Sequence, residues 1–270
     1  MKLKLKYLVA ALGLVASVPS FATIADPTFG AAQDELFLVV WELGVAGKTD
    51  QSFTLDTGIT YANFLANANS SQTLADILST DATFQAFLAT SSLPDLQYAV
   101  IGGKTALPAP ATLLSTVHVG DESQVALGTN NQTTGALNQL GPFLTAVNVT
   151  GTHPGGVAVN GESSNPTGSS AYFMDINNPL QYYNNAFGGT WSNSNLIGVS
   201  SEFTTLAKVF GGPTKPGKEV VLPGIVNFAQ VGTDYVLSYT VAAVPEPTGL
   251  GMALAGLGVL GFIGLRRKQG

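Results

Sequence analysis

Residues 35–43 read ELFLVVWEL. Apolar, β-branched and aromatic side chains crowded into one short run predict a buried β-strand. Gln51 to Thr57 alternates, with Phe53 and Leu55 on one face, and so supplies the hairpin partner across the Gly44–Asp50 loop. The chain then turns helical. Tyr61-x-x-Phe64-Leu65 has helical spacing, as has Leu74-x-x-Ile77-Leu78, and Asp81 can cap a turn bearing Phe84, Phe87 and Leu88.

Strand character returns at Leu96–Ile101 and Leu113–Val119, and a further helix is expected over Ala136–Val147, interrupted by Gly141-Pro142. Thr150 to Ser170 is rich in Gly, Ser, Asn and Pro and reads as a long loop. Later strands are expected at Ala171–Asp175, Glu219–Gln230 and Asp234–Val241, the last (DYVLSYTV) being the clearest, whereas Leu196–Phe210 fits helix or strand equally. About seven strands and one helical block make a mainly β domain, a β-sandwich-like body with helical insertions. No repeat of fixed period is present.

The charges narrow the function. Of 11 Lys and Arg in 270 residues, six lie at the termini, at Lys2, Lys4, Lys6, Arg266, Arg267 and Lys268. Between Thr23 and Val244 there are five lysines (48, 104, 208, 215 and 218), no arginine, and every acid except Glu246. Five lysines against sixteen acids leave the body at −11, although the whole chain carries only −6. Such a body is repelled by phosphate backbones, so nucleic-acid binding is excluded as its task. Charged residues make up 10% of the chain, where about a quarter is usual. Cysteine is absent, which removes disulfides, zinc–thiolate sites, thiol catalysis and iron–sulfur clusters.

Both ends carry addresses. Lys2, Lys4 and Lys6 precede an apolar stretch from Tyr7 to Val18. Pro19 then breaks the helix, and Ser20 and Ala22 place small residues at positions −3 and −1 of a signal-peptidase site. Cleavage after Ala22 would make residues 1–22 a signal helix and 23–243 the exported body. The other end, 244–270, opens Val244-Pro245-Glu246-Pro247-Thr248. Residues 249–265 follow without a charge, and as a transmembrane helix they would reach about 25 Å. Arg266, Arg267 and Lys268 form a membrane stop that stays on the cytoplasmic side. The body therefore faces away from the cytoplasm, as the N-terminal signal independently requires.

Pro245 and Pro247 fix the backbone on either side of Glu246 and hold its carboxylate on an extended stalk just outside the membrane. This triplet, the Gly-rich span and the terminal basic cluster together resemble the PEP-CTERM sorting domain. The resemblance covers about residues 244–268. It implies recognition by an exosortase, a membrane-embedded transpeptidase, with release or transfer of the body to the cell surface or medium. It also implies a Gram-negative source that makes extracellular polysaccharide, often with biofilm formation, and a membrane anchor that is transient.

Signals for chemistry in the body are weak. His118 and His153 are 35 residues apart with no second histidine at helical spacing, and His153 lies in the turn-forming Thr152-His153-Pro154-Gly155-Gly156. No Gly-x-Ser-x-Gly elbow occurs. The Gly-Lys-Thr tripeptides at 47–49 and 103–105 have Glu42 and Tyr98 where a phosphate loop needs its first glycine. No metal site and no cofactor are expected. Calcium is the ion that Asp121-Glu122 or Asp175-x-Asn177-Asn178 would take, although neither fits an EF-hand loop. Tyr182, Tyr183 and Trp191, set among Asn and Gly, are candidates for stacking on sugar rings, while Trp41 belongs to the core.

These observations predict a non-enzymatic surface or matrix protein, handled by signal peptidase and then by an exosortase-like transpeptidase, and associated with extracellular polysaccharide. A secreted carbohydrate-binding module or a polysaccharide-acting hydrolase is the alternative.

Overall fold

The computed structural model describes residues 24, 34–42, 51–105, 110–120, 128–150, 161–164, 173 and 195–242. The predicted signal helix, the sorting tail with its span, and Tyr182, Tyr183 and Trp191 lie outside them. Ten strands are present: β1 (Glu35–Trp41), β2 (Ser52–Thr60), β3 (Gln72–Ile77), β4 (Gln97–Lys104), β5 (Thr112–His118), β6 (Gly161–Ser164), β7 (Asn195–Leu196), β8 (Ser201–Ala207), β9 (Lys218–Val231) and β10 (Asp234–Val241). Three helices accompany them, α1 (Tyr61–Ala66), α2 (Ala82–Thr90) and α3 (Asn130–Thr150).

The mainly β expectation holds, but the two sheets of a sandwich do not form. All ten strands join one antiparallel sheet in the order β3-β10-β9-β8-β5-β4-β1-β2-β6, with β7 beside β4. The sheet bends until β2 touches β3 from the far side of that order. Alternation explains why one bent sheet suffices, since each strand has two faces to bury. Leu36, Leu38, Val40, Phe53, Leu55, Tyr98, Phe203, Phe228 and Leu237 fill the concave side. Phe37, Val39, Trp41, Ile101 and Leu113 face the convex side, which α3 covers. The run ELFLVVWEL is thus the central wall between two cores, and so it is apolar on both faces.

The helices close what the sheet leaves open. Phe64 of α1 meets Phe203 and Tyr239 at ring separations of 4.8 and 5.2 Å. Phe84 of α2 lies 4.8 Å from Phe53 and 5.1 Å from Tyr235. Asp81 caps α2 by accepting from Phe84 N at 2.8 Å, and Thr60 caps α1 by accepting from Asn63 N at 3.2 Å. On the convex side α3 presents Ala136, Leu137, Leu140, Phe143, Leu144 and Val147, a helical stripe.

Three local expectations are corrected. Leu74-x-x-Ile77 belongs to strand β3, because a bulge opposite Leu237/Ser238 adds one residue and returns both side chains to the same core. Gly141-Pro142 does not interrupt α3. Pro142 sits on the exposed face beside exposed Asn138, whose carbonyl loses its partner to solvent, and the buried stripe outweighs a penalty of about 3 kcal/mol. The 150–170 stretch contains β6, which pairs with Ser52–Leu55 of β2. The undecided stretch 196–210 resolves as strand β8, paired on both sides, by β5 and β9.

Candidate functional site

The sheet has two unlike ends. At one, β9 returns into β10 through Gly232 (φ 65°) in a two-residue hairpin, an arrangement that favours glycine first. This is the turn end. At the other, β10 finishes at Val241 and hands the chain towards the Pro-Glu-Pro motif. This is the exit end, and it is where sorting chemistry can act.

The hand-over is rigid up to its last residues. Tyr239 is fully buried, donates to Ala68 O at 2.8 Å and accepts from Gly224 N at 2.9 Å. A Cβ at Gly224 would collide with the Tyr239 ring, so glycine is required for this close approach. Val241 N donates to Ser71 Oγ at 3.0 Å. Ala242 is exposed and is the last described residue. Three residues lie between it and Glu246, a span of about 14 Å at full extension.

Beside that exit β9 overhangs. Val241 pairs with Gly224, so Lys218–Pro223 run on past the end of β10, and of these Lys218–Val221 pair with β8. Pro223 is tolerated there because the ladder with β8 skips it. The connection from Lys208 to Gly217 forms the tip of this arm and is held by the start of α3. Asn130 accepts from Val209 N at 2.9 Å and donates to the carbonyls of Val209 and Gly212 at 3.0 and 3.1 Å. Asn130 N and Asn131 N donate to the carbonyls of Lys215 and Pro213, each at 2.9 Å.

The exit end also gathers ionisable side chains. Tyr61 N donates to Asp34 O at 2.6 Å, and Lys104 Nζ lies 5.8 Å from the Tyr61 ring centre. Burial pushes the Tyr61 hydroxyl up to about 12, with the negative charge of Asp34 adding to it and a hydrogen bond with Thr112 opposing it.

Asp34 is one of three buried carboxylates that composition alone did not single out; the others are Glu42 and Asp56. Glu42 Oε1 accepts from Ser92 N at 3.0 Å and ties the end of β1 to the segment after α2. Asp56 Oδ1 accepts from Gly58 N at 2.7 Å, a local turn contact. Glu42 follows the parity of Leu38 and Val40, whereas Asp56 is paired with Phe37. They belong to opposite faces of the sheet and cannot flank one glycosidic bond. His118 closes β5 half-buried, with Ser201 as its cross-strand partner. Ser201 is fully buried, and its Oγ accepts from Asn195 Nδ2 and shares a 3.0 Å hydrogen bond with the Tyr98 hydroxyl. It is closed to a substrate. Burial also pushes the Tyr98 hydroxyl up to about 12, against hydrogen bonds from Ser201 and Phe228 that lower it.

Among the described residues no group of three or more His, Asp or Glu could hold a metal ion, and no helix is long and apolar enough to cross a membrane. Trp41 is in the core as expected, 5.0 Å from the ring of Phe173. The other sequence candidates lie outside the described residues: Ser20, Ala22, Asp121, Glu122, His153, Asp175, Asn177, Asn178, Tyr182, Tyr183, Trp191, Pro245, Glu246, Pro247, Arg266, Arg267 and Lys268. The sequence shows the arm only as Lys208, Lys215 and Lys218 around a Gly-Gly-Pro turn; the pairing of β8 with β9 is what brings it to the exit end.

No curated protein and no solved structure matches this chain. Residues 243–268, however, match the family profile of the PEP-CTERM protein-sorting motif. That match begins one residue after the last described residue of the exit end. The chain thus carries a PEP-CTERM protein-sorting motif, which marks it as an exported protein, held transiently at the membrane and processed by an exosortase.

Proposed function

We propose that the body is a non-enzymatic surface or matrix protein of a Gram-negative bacterium, delivered through the exosortase route and associated with extracellular polysaccharide in a biofilm. The observation that carries this reading is the sorting motif at 243–268, following a strand that is locked into the core up to Tyr239. Signal peptidase removes residues 1–22, the 249–265 helix holds the precursor, and processing near Glu246 frees the body. No cofactor is needed for this role. Calcium at Asp121-Glu122 or Asp175–Asn178, and sugar stacking by Tyr182, Tyr183 and Trp191, are compatible additions to it.

The test is cellular fractionation of three strains: wild type, one with residues 244–270 deleted, and one lacking the exosortase. Both changes should move the protein out of the surface fraction. An unchanged distribution between membrane, surface and medium sinks the proposal.

A further inference from the structure

We infer that the tip of the β8–β9 arm, Lys208 to Lys218, is a second membrane contact of the precursor that takes anionic phospholipid head groups. The inference rests on the sorting reading, because it needs the tail to bring a bilayer to the exit end.

Charge placement is the first observation. The four described lysines, Lys104, Lys208, Lys215 and Lys218, all lie at the ends of strands on the exit side of the sheet. Glu42, Asp76, Asp81, Asp95, Glu202 and Asp234 lie towards the turn end, whereas Asp34, Glu35, Asp56 and Glu219 lie on the exit half of the sheet. In a body whose net charge is −11 the basic excess is therefore local to the arm tip, on the side from which the tail leaves. Glu219 is the one acid within the 208–219 stretch, against three lysines. Basic groups near an anionic leaflet are each attracted within about a Debye length.

The second observation is Phe210, whose side chain is 100% exposed at the tip. It does not sit on a loose loop. Val209 and Gly212 on either side are pinned by Asn130, and Lys215 Nζ donates to Phe210 O at 3.1 Å. An ordered turn that holds an aromatic ring entirely in water, ringed by lysines, has the makeup of an interfacial anchor. Val220 and Val221 on the overhang are 44% and 40% exposed, one on each face of the strand.

Reach is the third. β10 is antiparallel to β9 and therefore runs towards the tip. From Gly224 to Lys218 the arm extends about 20 Å in that direction. The stalk from Val241 to Gly249, the first residue of the uncharged run, spans at most about 28 Å. The two lengths are comparable, so the stalk is long enough for a bilayer holding residues 249–265 to reach Phe210.

The chain has no cysteine, which makes single-site labelling direct. Full-length protein bearing Phe210→Cys, Thr233→Cys at the turn end, or Ala255→Cys in the span is labelled with an environment-sensitive dye. Each is reconstituted into vesicles of phosphatidylglycerol and phosphatidylcholine, or of phosphatidylcholine alone, containing lipids with a quencher in the acyl chain. The probe at 210 should be quenched in the anionic vesicles, and the probe at 233 should not. Replacing Lys208, Lys215 and Lys218 with Gln should lower the contacting fraction relative to the free fraction about fivefold per lysine, as should 0.5 M salt in part. A probe at 210 that behaves like the one at 233 overturns the inference. The probe at 255 decides the tail separately: quenching there with none at 210 leaves the sorting reading intact, and no quenching at 255 counts against that reading itself.

Discussion

The two ends of the sheet solve different problems with the same strands. At the turn end α2 packs Phe84 and Phe87 over the concave core, a two-residue hairpin closes β9 on β10, and Asp76 and Asp95 are exposed. At the exit end α1 plugs the core with Phe64, but β9 runs on past its neighbour and its tip offers lysines and a bare aromatic ring. One end is finished and the other is left open next to the sorting tail. The sorting motif follows the end where packing has not been completed.

The largest expected effect tests whether the finished end carries the stability. Phe84→Ala removes a ring that touches Phe53, Phe87, Phe228 and Tyr235, and should cost about 3–5 kcal/mol in urea unfolding. Phe210→Ala, a change of the same side chain at the arm tip, should stay within about 0.5 kcal/mol. Similar costs at both sites would erase the contrast. Alkaline titration comes next and strikes both ends together. Tyr61 at the exit end and Tyr98 near the turn end both have hydroxyls pushed up to about 12 by burial. Below pH 10 neither affects stability through titration. As pH rises from about 10 to 12 the unfolded state loses these protons first, so stability should fall by on the order of 2–3 kcal/mol per tyrosine. Tyr98→Phe should remove its share of that alkaline loss.

The helix caps come third. Asp81→Ala on α2 and Thr60→Ala on α1 should each cost about 1 kcal/mol, read as a shift in urea midpoint. Asp81 should cost the more, because its bond is shorter and α2, of nine residues, is longer than α1, of six.

Much of this was legible in advance for definite reasons. ELFLVVWEL, DYVLSYTV and the Asp81 cap are local signals, and the structure keeps each where the residues put it. Leu74 and Ile77 misled because a bulge changes strand parity, and a bulge is set by the partner strand rather than by the sequence that contains it. One bent sheet rather than two packed ones could not be read, since it depends on how far the sheet curls before β2 meets β3. At the site, Pro245-Glu246-Pro247 was plain as a motif, and the family match falls on it. The lysines of the arm were visible only as scattered charges, because residues 104 and 208–218 become neighbours of the exit solely through strand pairing.

The smallest expected effect belongs to Asp234, and it separates the turn end from the rest by pH. Its Oδ1 accepts from Ser79 N at 2.7 Å and from Thr233 Oγ1 at 3.3 Å, joining the β9–β10 hairpin to the entry of α2. The Ser79 backbone and side-chain hydrogen bonds hold this carboxyl below its ordinary value of 3.8, with desolvation opposing and Thr233 adding to them. A folded value below the unfolded one means that the ionised form stabilises the fold. That contribution is complete above the unfolded value and is lost as pH falls through the folded one. Asp234→Asn should therefore be less stable than wild type at pH 7, with the gap narrowing as the pH is lowered past 3.8. Because the group is solvent-accessible, salt should narrow the gap as well. A gap that stays constant with pH would show that the hairpin is joined to α2 by packing alone, and the turn end would then be closed without help from its charges.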